Sequence, residues 1–260
     1  MNPRRFSGLR VLCVFVGLEA GMLSLGLPAI AQDDTATAEK QFLIPETNES
    51  MAGTGPVRRY DWMKQVWQRR RSTFDARSQQ DQNAIVFLGD SITQGWADDF
   101  RGAFKNRKVA NRGISGDTTR GMLYRLKADV LDLDPKAVVM LMGTNDLEEH
   151  ASPETIASNV RLIVEALNAH DAEMPIVLCL VMPSSETKSR PASQIKRINE
   201  LLTEIANENP TVHLVDTWTP FANEHGDAKE EEFPDLLHPN AAGYSKWKAA
   251  LEPTLQKLNL

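Results

Sequence analysis

The chain has 260 residues, 42% of them apolar and 25% charged, with a net charge of -6. That is enough for one domain with a sizeable core and an ordinary globular balance. The acidic charge excludes the basic face of a nucleic-acid footprint, and two cysteines exclude a scaffold stapled by disulfides.

Arg4, Arg5 and Arg10 precede a mostly apolar stretch from Val11 to Leu27, and Ala29-Ile30-Ala31 forms an A-x-A site. This pattern predicts a signal peptide over residues 1–31, cut before Gln32, and therefore a periplasmic or secreted protein. An uncleaved membrane anchor is the alternative, against which Glu19 stands. The Arg4-Arg5 pair leaves the export route open between the general and twin-arginine pathways. No later stretch is long and apolar enough to span a bilayer, so no stable membrane insertion of the mature chain is expected. Residues 32–57 are polar without a sustained period and predict a flexible leader. One domain is expected over 58–260.

From Arg59 to about Gln79, Trp62, Met63, Val66, Trp67 and Phe74 recur at helical spacing. Within it, Arg69-Arg70-Arg71 reads as a solvated helix face. Strands are predicted at Ala84–Leu88, Lys108–Asn111, Ala137–Met142, Ile176–Val181 and Val212–Val215. Helices are predicted near Thr118–Leu131, Pro153–Ala169, Gln194–Glu208 and Ala241–Lys257, with Ser152 as an N-cap before Pro153. Strands alternating with helices imply a parallel sheet covered on both faces. Cys13 would leave with the signal, and Cys179, inside an apolar strand, reads as buried packing. Two long loops, Pro183–Pro191 and Asp216–Pro234, follow strands and should rim the carboxyl edge of the sheet. The second holds the acidic run Glu230-Glu231-Glu232, read as solvated.

Four short blocks carry chemistry: Gly89-Asp90-Ser91 after the first strand; Asn111-Arg112-Gly113-Ile114-Ser115-Gly116 after the second; Gly143-Thr144-Asn145-Asp146 after the third; and Asp235-Leu236-Leu237-His238 near the end. In a parallel sheet the first three converge on one edge, where open α/β folds place their ligands. Ser91 is a candidate nucleophile that needs a base. His238 supplies an imidazole that titrates near neutral pH. Asp235, three residues earlier, would share a face with it on a helical turn and fix its tautomer. His150, His170, His213 and His225 read as structural or solvated. No metal spacing and no phosphate loop is found, and no cofactor is expected.

With these four blocks in this order over residues 84–257, the chain resembles the SGNH hydrolases, also called the GDSL esterase/lipase superfamily. The resemblance implies a flavodoxin-like three-layer α/β/α sandwich with about five parallel strands. It implies catalysis by Ser91, Asp235 and His238. It assigns the oxyanion hole to the Ser91 backbone N–H, the Gly113 backbone N–H and the Asn145 side-chain amide. The stretches G-D-S-I-T-Q-G-W, N-R-G-I-S-G-D-T and D-L-L-H-P-N-A-A-G-Y resemble the subgroup of platelet-activating-factor acetylhydrolase catalytic subunits and bacterial acetylesterases. A short-chain, acetyl-removing esterase acting on a small-molecule or extracellular carbohydrate ester is therefore expected. A lysophospholipase or thioesterase with a longer acyl pocket is the nearest alternative, and a non-catalytic binding module on the same scaffold is the alternative of another class. The oligomeric state is not legible in the sequence.

Overall fold

The structure is a computed structural model that describes residues 42–260; the expected signal peptide and residues 32–41 of the expected leader lie outside them. The elements run α1 (Asp61–Ala76), β1 (Ile85–Gly89), α2 (Ser91–Gln94), β2 (Val109–Gly113), α3 (Thr119–Asp129), β3 (Ala137–Leu141), α4 (Thr144–Glu148), α5 (Pro153–His170), β4 (Ile176–Cys179), α6 (Ala192–Glu208), β5 (Val212–Val215) and α7 (Ala241–Lys257). All five strands are parallel, in the order β2-β1-β3-β4-β5. This is the expected three-layer sandwich.

The strands read as unbroken apolar runs because both faces are covered. Val86 and Leu88 of β1 face one way, with Met140 of β3 and Leu178 of β4, into a core completed by Met122, Val160, Ile163, Ile198 and Leu202 of α3, α5 and α6. Ile85 and Phe87 face the other way, toward Trp247, Leu251 and Leu255 of α7 and the loop residues Trp96, Phe100 and Phe104. Phe87, Trp96, Phe100, Phe104, Tyr244 and Trp247 form a cluster with ring centroids 4.6–6.4 Å apart. Such pairs contribute about 0.5–1.5 kcal/mol each beyond their buried area. The Tyr244 hydroxyl donates to the Ile92 carbonyl at 2.9 Å, fastening α7 to the short helix that begins with Ser91. Cys179 is buried on this side, and burial pushes its thiol up to about 12.

Two expectations are corrected. Residues 42–57, expected to be flexible, pack against the domain: Phe42, Ile44 and Met51 are buried. Arg120 donates to the carbonyls of Asn48, Met51, Ala52 and Gly55 at 3.0–3.3 Å. Asn159 exchanges hydrogen bonds with the Thr54 backbone at 2.8 and 3.1 Å. Polar composition misled here because the segment is held through its backbone, which composition does not register. In the arginine run, only Arg69 is exposed. Arg70 donates to the Gly113 carbonyl at 3.1 Å and pairs with Asp98 at 2.8 Å, and Arg71 pairs with Asp129 at 3.0 Å.

Candidate active site

The ends of β1, β2 and β3 lead into the site. β1 stops at Gly89, and a Cβ there would lie 2.1 Å from Thr93 Oγ1 and 2.7 Å from the Leu141 carbonyl, so only glycine lets the chain turn between its neighbours. Asp90 caps α2 by accepting from the Ile92 N–H at 2.9 Å. Ser91 is therefore the first helical residue, at the carboxyl end of β1. Asp90 is fully buried, and burial pushes its carboxyl up to about 6 against the pull of the Ile92 N–H and of nearby cations.

His238 Nε2 lies 2.9 Å from Ser91 Oγ, and His238 Nδ1 lies 2.7 Å from Asp235 Oδ2. The Asp235–His238 segment is not the helical turn expected. It is a bend with Leu236 at φ 61°. Asp235 Oδ1 accepts from the Leu237 and His238 backbone N–H groups at 3.0 and 2.7 Å, leaving Oδ2 for the imidazole. Burial alone would raise the Asp235 carboxyl, but these hydrogen bonds outweigh it and hold it below the ordinary carboxylate value. The helix cap after the bend is Asn240, which accepts from Ala242 and Gly243. The long loops do rim this edge: Ser184 Oγ donates to the Leu236 carbonyl and the Ala228 N–H to the Ser184 carbonyl, both at 2.8 Å.

Gly113 does not have the expected geometry. Its N–H donates to Asn111 Oδ1 at 2.8 Å, while Asn111 Nδ2 holds the Thr93 and Ala97 carbonyls at 2.7 and 3.0 Å. The N–H is turned to the interior, where it fastens β2 to α2, and is not free for a substrate oxygen. Gly116, in the same block, sits in a turn at φ 84°, and its N–H makes no hydrogen bond within the described residues, as is also true of the Ser91 N–H. The turn lies in the site: the Ser115 N–H donates to Gln94 at 2.7 Å, and Asn145 Nδ2 donates to the Asp117 carbonyl at 2.9 Å. The block contains two glycines, and sequence spacing does not say which amide is exposed; the φ of the turn does.

Asn145, on α4, is buried. Its Oδ1 accepts from Arg58 at 3.2 Å and Arg190 at 3.4 Å. Neither arginine was singled out from the sequence, although Arg190 lies in a loop expected to rim the edge. Glu148 Oε2 bonds both guanidiniums, Arg190 at 2.7 Å. Burial alone would raise Glu148, but the two arginines hold it below its ordinary value.

Beneath the site, Arg125 pairs with Asp117 at 2.7 Å and Asp129 at 3.3 Å and donates to the Gly89 and Arg112 carbonyls at 3.2 and 2.8 Å. One guanidinium thus ties the ends of β1 and β2 to the turn that carries Gly116. Asp146 accepts from the Thr119 N–H and hydroxyl, the latter at 2.6 Å. Burial pushes Asp146 up to about 7 and Asp117 up to about 6. Among the described residues, no group of three or more His, Cys, Asp or Glu side chains could hold a metal ion, and no helix is long and apolar enough to cross a membrane.

The sequence model described as GDSL-like Lipase/Acylhydrolase family matches residues 87–246. The human platelet-activating factor acetylhydrolase IB subunit alpha2 is 30% identical over 177 residues, covering 67% of this chain and 76% of that protein. Among solved structures, a GDSL-like lipase from Bacteroides thetaiotaomicron superposes with a TM-score of 0.63 at 24% identity, covering 72% of this chain and 98% of that one. An acetyl xylan esterase superposes with a TM-score of 0.55 at 18% identity, covering 66% and 98%. These structural likenesses concern the fold.

Proposed function

The chain belongs to the GDSL-like lipase/acylhydrolase family and is an ester hydrolase, and we propose that it is an exported serine esterase removing short acyl groups, acetyl foremost, from carbohydrate. The observation that carries the reaction is the unbroken relay from Ser91 Oγ through His238 to Asp235, at 2.9 and 2.7 Å. Ser91 Oγ attacks the ester carbonyl while His238 Nε2 takes its proton, and Asp235 stabilises the imidazolium. The Ser91 N–H, the Gly116 N–H and Asn145 Nδ2 receive the oxyanion. His238 then protonates the leaving alcohol. Water, deprotonated by His238, attacks the acyl-serine, releases the acid and restores Ser91.

The acetyl preference is supported by the acetylhydrolase names of the relatives and the acetyl xylan esterase among the structural neighbours. A sugar leaving group is supported by Tyr60 and Trp62, which are 51% and 48% exposed, with rings parallel to within 13° and centroids 6.3 Å apart. The Trp62 ring packs on Gly116 so closely that a Cβ there would meet it at 2.4 Å. Electron-rich ring faces suit the C–H face of a pyranose. Export is supported by the pattern of residues 1–31.

A series of p-nitrophenyl acetate, butyrate, octanoate and palmitate tests this reading, with Ser91→Ala as control. We expect kcat/KM to fall with chain length. A preference for octanoate or palmitate overturns the acetyl assignment in favour of a lysophospholipase or thioesterase. Hydrolysis no faster than that by Ser91→Ala favours a binding module. Acetate release from acetylated xylo-oligosaccharides tests the sugar, and secreted protein beginning at Gln32 tests export.

A further inference from the structure

The Asn145 amide is gripped from behind by two buried cations. Arg58 and Arg190 are 7% and 2% exposed. They reach Asn145 from opposite directions in the sequence, one from the N-terminal segment ahead of α1, the other from the loop before α6. Both donate to Oδ1, at 3.2 and 3.4 Å. Each also holds the backbone beside it: Arg58 donates to the Asn145 carbonyl at 3.3 Å and Arg190 to the Thr144 carbonyl at 3.0 Å. Glu148 bonds both, and Glu149 holds Arg58 Nε at 2.8 Å. The guanidiniums are thereby fixed before substrate arrives.

Two consequences follow from donor and acceptor chemistry. Arginine only donates, so turning the amide over would set its NH₂ against two guanidiniums. Asn145 is locked with Nδ2 toward the Asp117 carbonyl, which takes one of its two hydrogens at 2.9 Å. Cationic donors on the amide oxygen also draw electron density from its nitrogen, and hydrogen-bond chains of this kind strengthen one another in a low-dielectric interior. The remaining N–H becomes a stronger donor to developing negative charge.

We propose that Arg58 and Arg190 are positioning residues of the esterase, which lock and polarise the Asn145 amide as an oxyanion donor. The inference rests on the reading of Asn145 as such a donor. It makes the N-terminal segment, which lies outside the family-matched residues 87–246, part of the catalytic apparatus.

The test is a double-mutant cycle on p-nitrophenyl acetate, built from Arg58→Met and Asn145→Ala with thermal melting as a folding control. Arg58→Met should lower kcat about tenfold with KM within about twofold, a size typical of coupled neighbours. In the Asn145→Ala background the same change should cost less than about twofold, because its route to the reaction is already gone. Arg58→Lys, which keeps the charge and loses the fork, should fall between; with Arg190→Lys it carries the test if Arg58→Met does not fold. Losses by Arg58→Met that simply multiply with those of Asn145→Ala, or a raised KM with unchanged kcat, overturn the inference and leave Asn145 in its role. Wild-type turnover in Asn145→Ala overturns both.

Discussion

His238 Nε2 stands 2.9 Å from Ser91 Oγ across 147 residues of chain. The contact exists because α7 is docked on α2 by Tyr244 and the bend before α7 is closed by Asp235. Asp235 therefore does two jobs with two oxygens, shaping the backbone with Oδ1 and orienting the imidazole with Oδ2.

Asp235→Asn separates those jobs. The asparagine keeps an oxygen for the Leu237 and His238 N–H groups but turns an NH₂ toward Nδ1. That favours the tautomer with its proton on Nε2, which cannot accept one from Ser91. Turnover should fall about 10⁴-fold with melting temperature nearly unchanged. A loss below tenfold in steady-state assays would remove Asp235 from the mechanism.

The two glycines of the second block should fail differently. At Gly113 a Cβ would meet the Gln94 backbone nitrogen at 2.2 Å. Backbone does not yield cheaply, so Gly113→Ala should lower stability by about 3 kcal/mol. At Gly116 the nearest obstacle is the half-exposed Trp62 ring, which can swing aside, followed by the Sδ of the flexible Met63 side chain at 3.0 Å. Gly116→Ala should lose about 1–2 kcal/mol from its positive φ, and kcat should fall by more than its stability loss predicts. Urea unfolding and kcat, measured together, decide it; comparable stability losses would contradict the assignment.

Three buried carboxyls predict the pH dependence of stability. Asp90 and Asp117 are raised to about 6 and Asp146 to about 7, each by burial, from 3.8. The folded state thus holds protons that the unfolded chain releases near pH 4. Their stabilising contribution is fully present below that pH and lost as pH rises through 6 to 7. Melting temperature should decline from pH 5 to 7.5, and Asp146→Asn should flatten the upper part of that slope. A melting temperature that rises steadily over the same interval would refute the account.

Arg125→Met should be costly. It leaves Asp117 and one side of Asp129 without their cation and removes one donor from each of two strand-end carbonyls, those of Gly89 and Arg112. Breaking one side of a buried pair costs about 3–5 kcal/mol. A loss below 1 kcal/mol in urea unfolding would show that the network tolerates the gap.

What the sequence made legible follows the physics that shaped it. β1 and β3 were readable because strands covered on both faces must be apolar throughout, and α7 was bounded as observed, at Ala241 and Lys257. The four- and five-residue helices α2 and α4 are too short to show a period. The proximity of Asp235 to His238 was readable from spacing, yet its cause was not, since an Asp accepting two backbone amides in a bend leaves the same spacing as a helical turn. Arg70 and Arg71 read as surface because their partners, Asp98 and Asp129, are distant in sequence. Arg58 escaped notice for the same reason.

The fan of bonds from Arg120 to four carbonyls between Asn48 and Gly55 has a bearing on how the enzyme is handled. Every residue type supplies a backbone carbonyl, so away from the positive-φ glycines Gly53 and Gly55 the segment can change its letters and stay in place. A clone trimmed to the matched residues 87–246 would begin inside β1, discard Arg58, and stop in α7 ahead of Trp247, Leu251 and Leu255. An expressed chain should therefore keep the buried Phe42 and the whole of α7 rather than follow the extent of recognisable similarity.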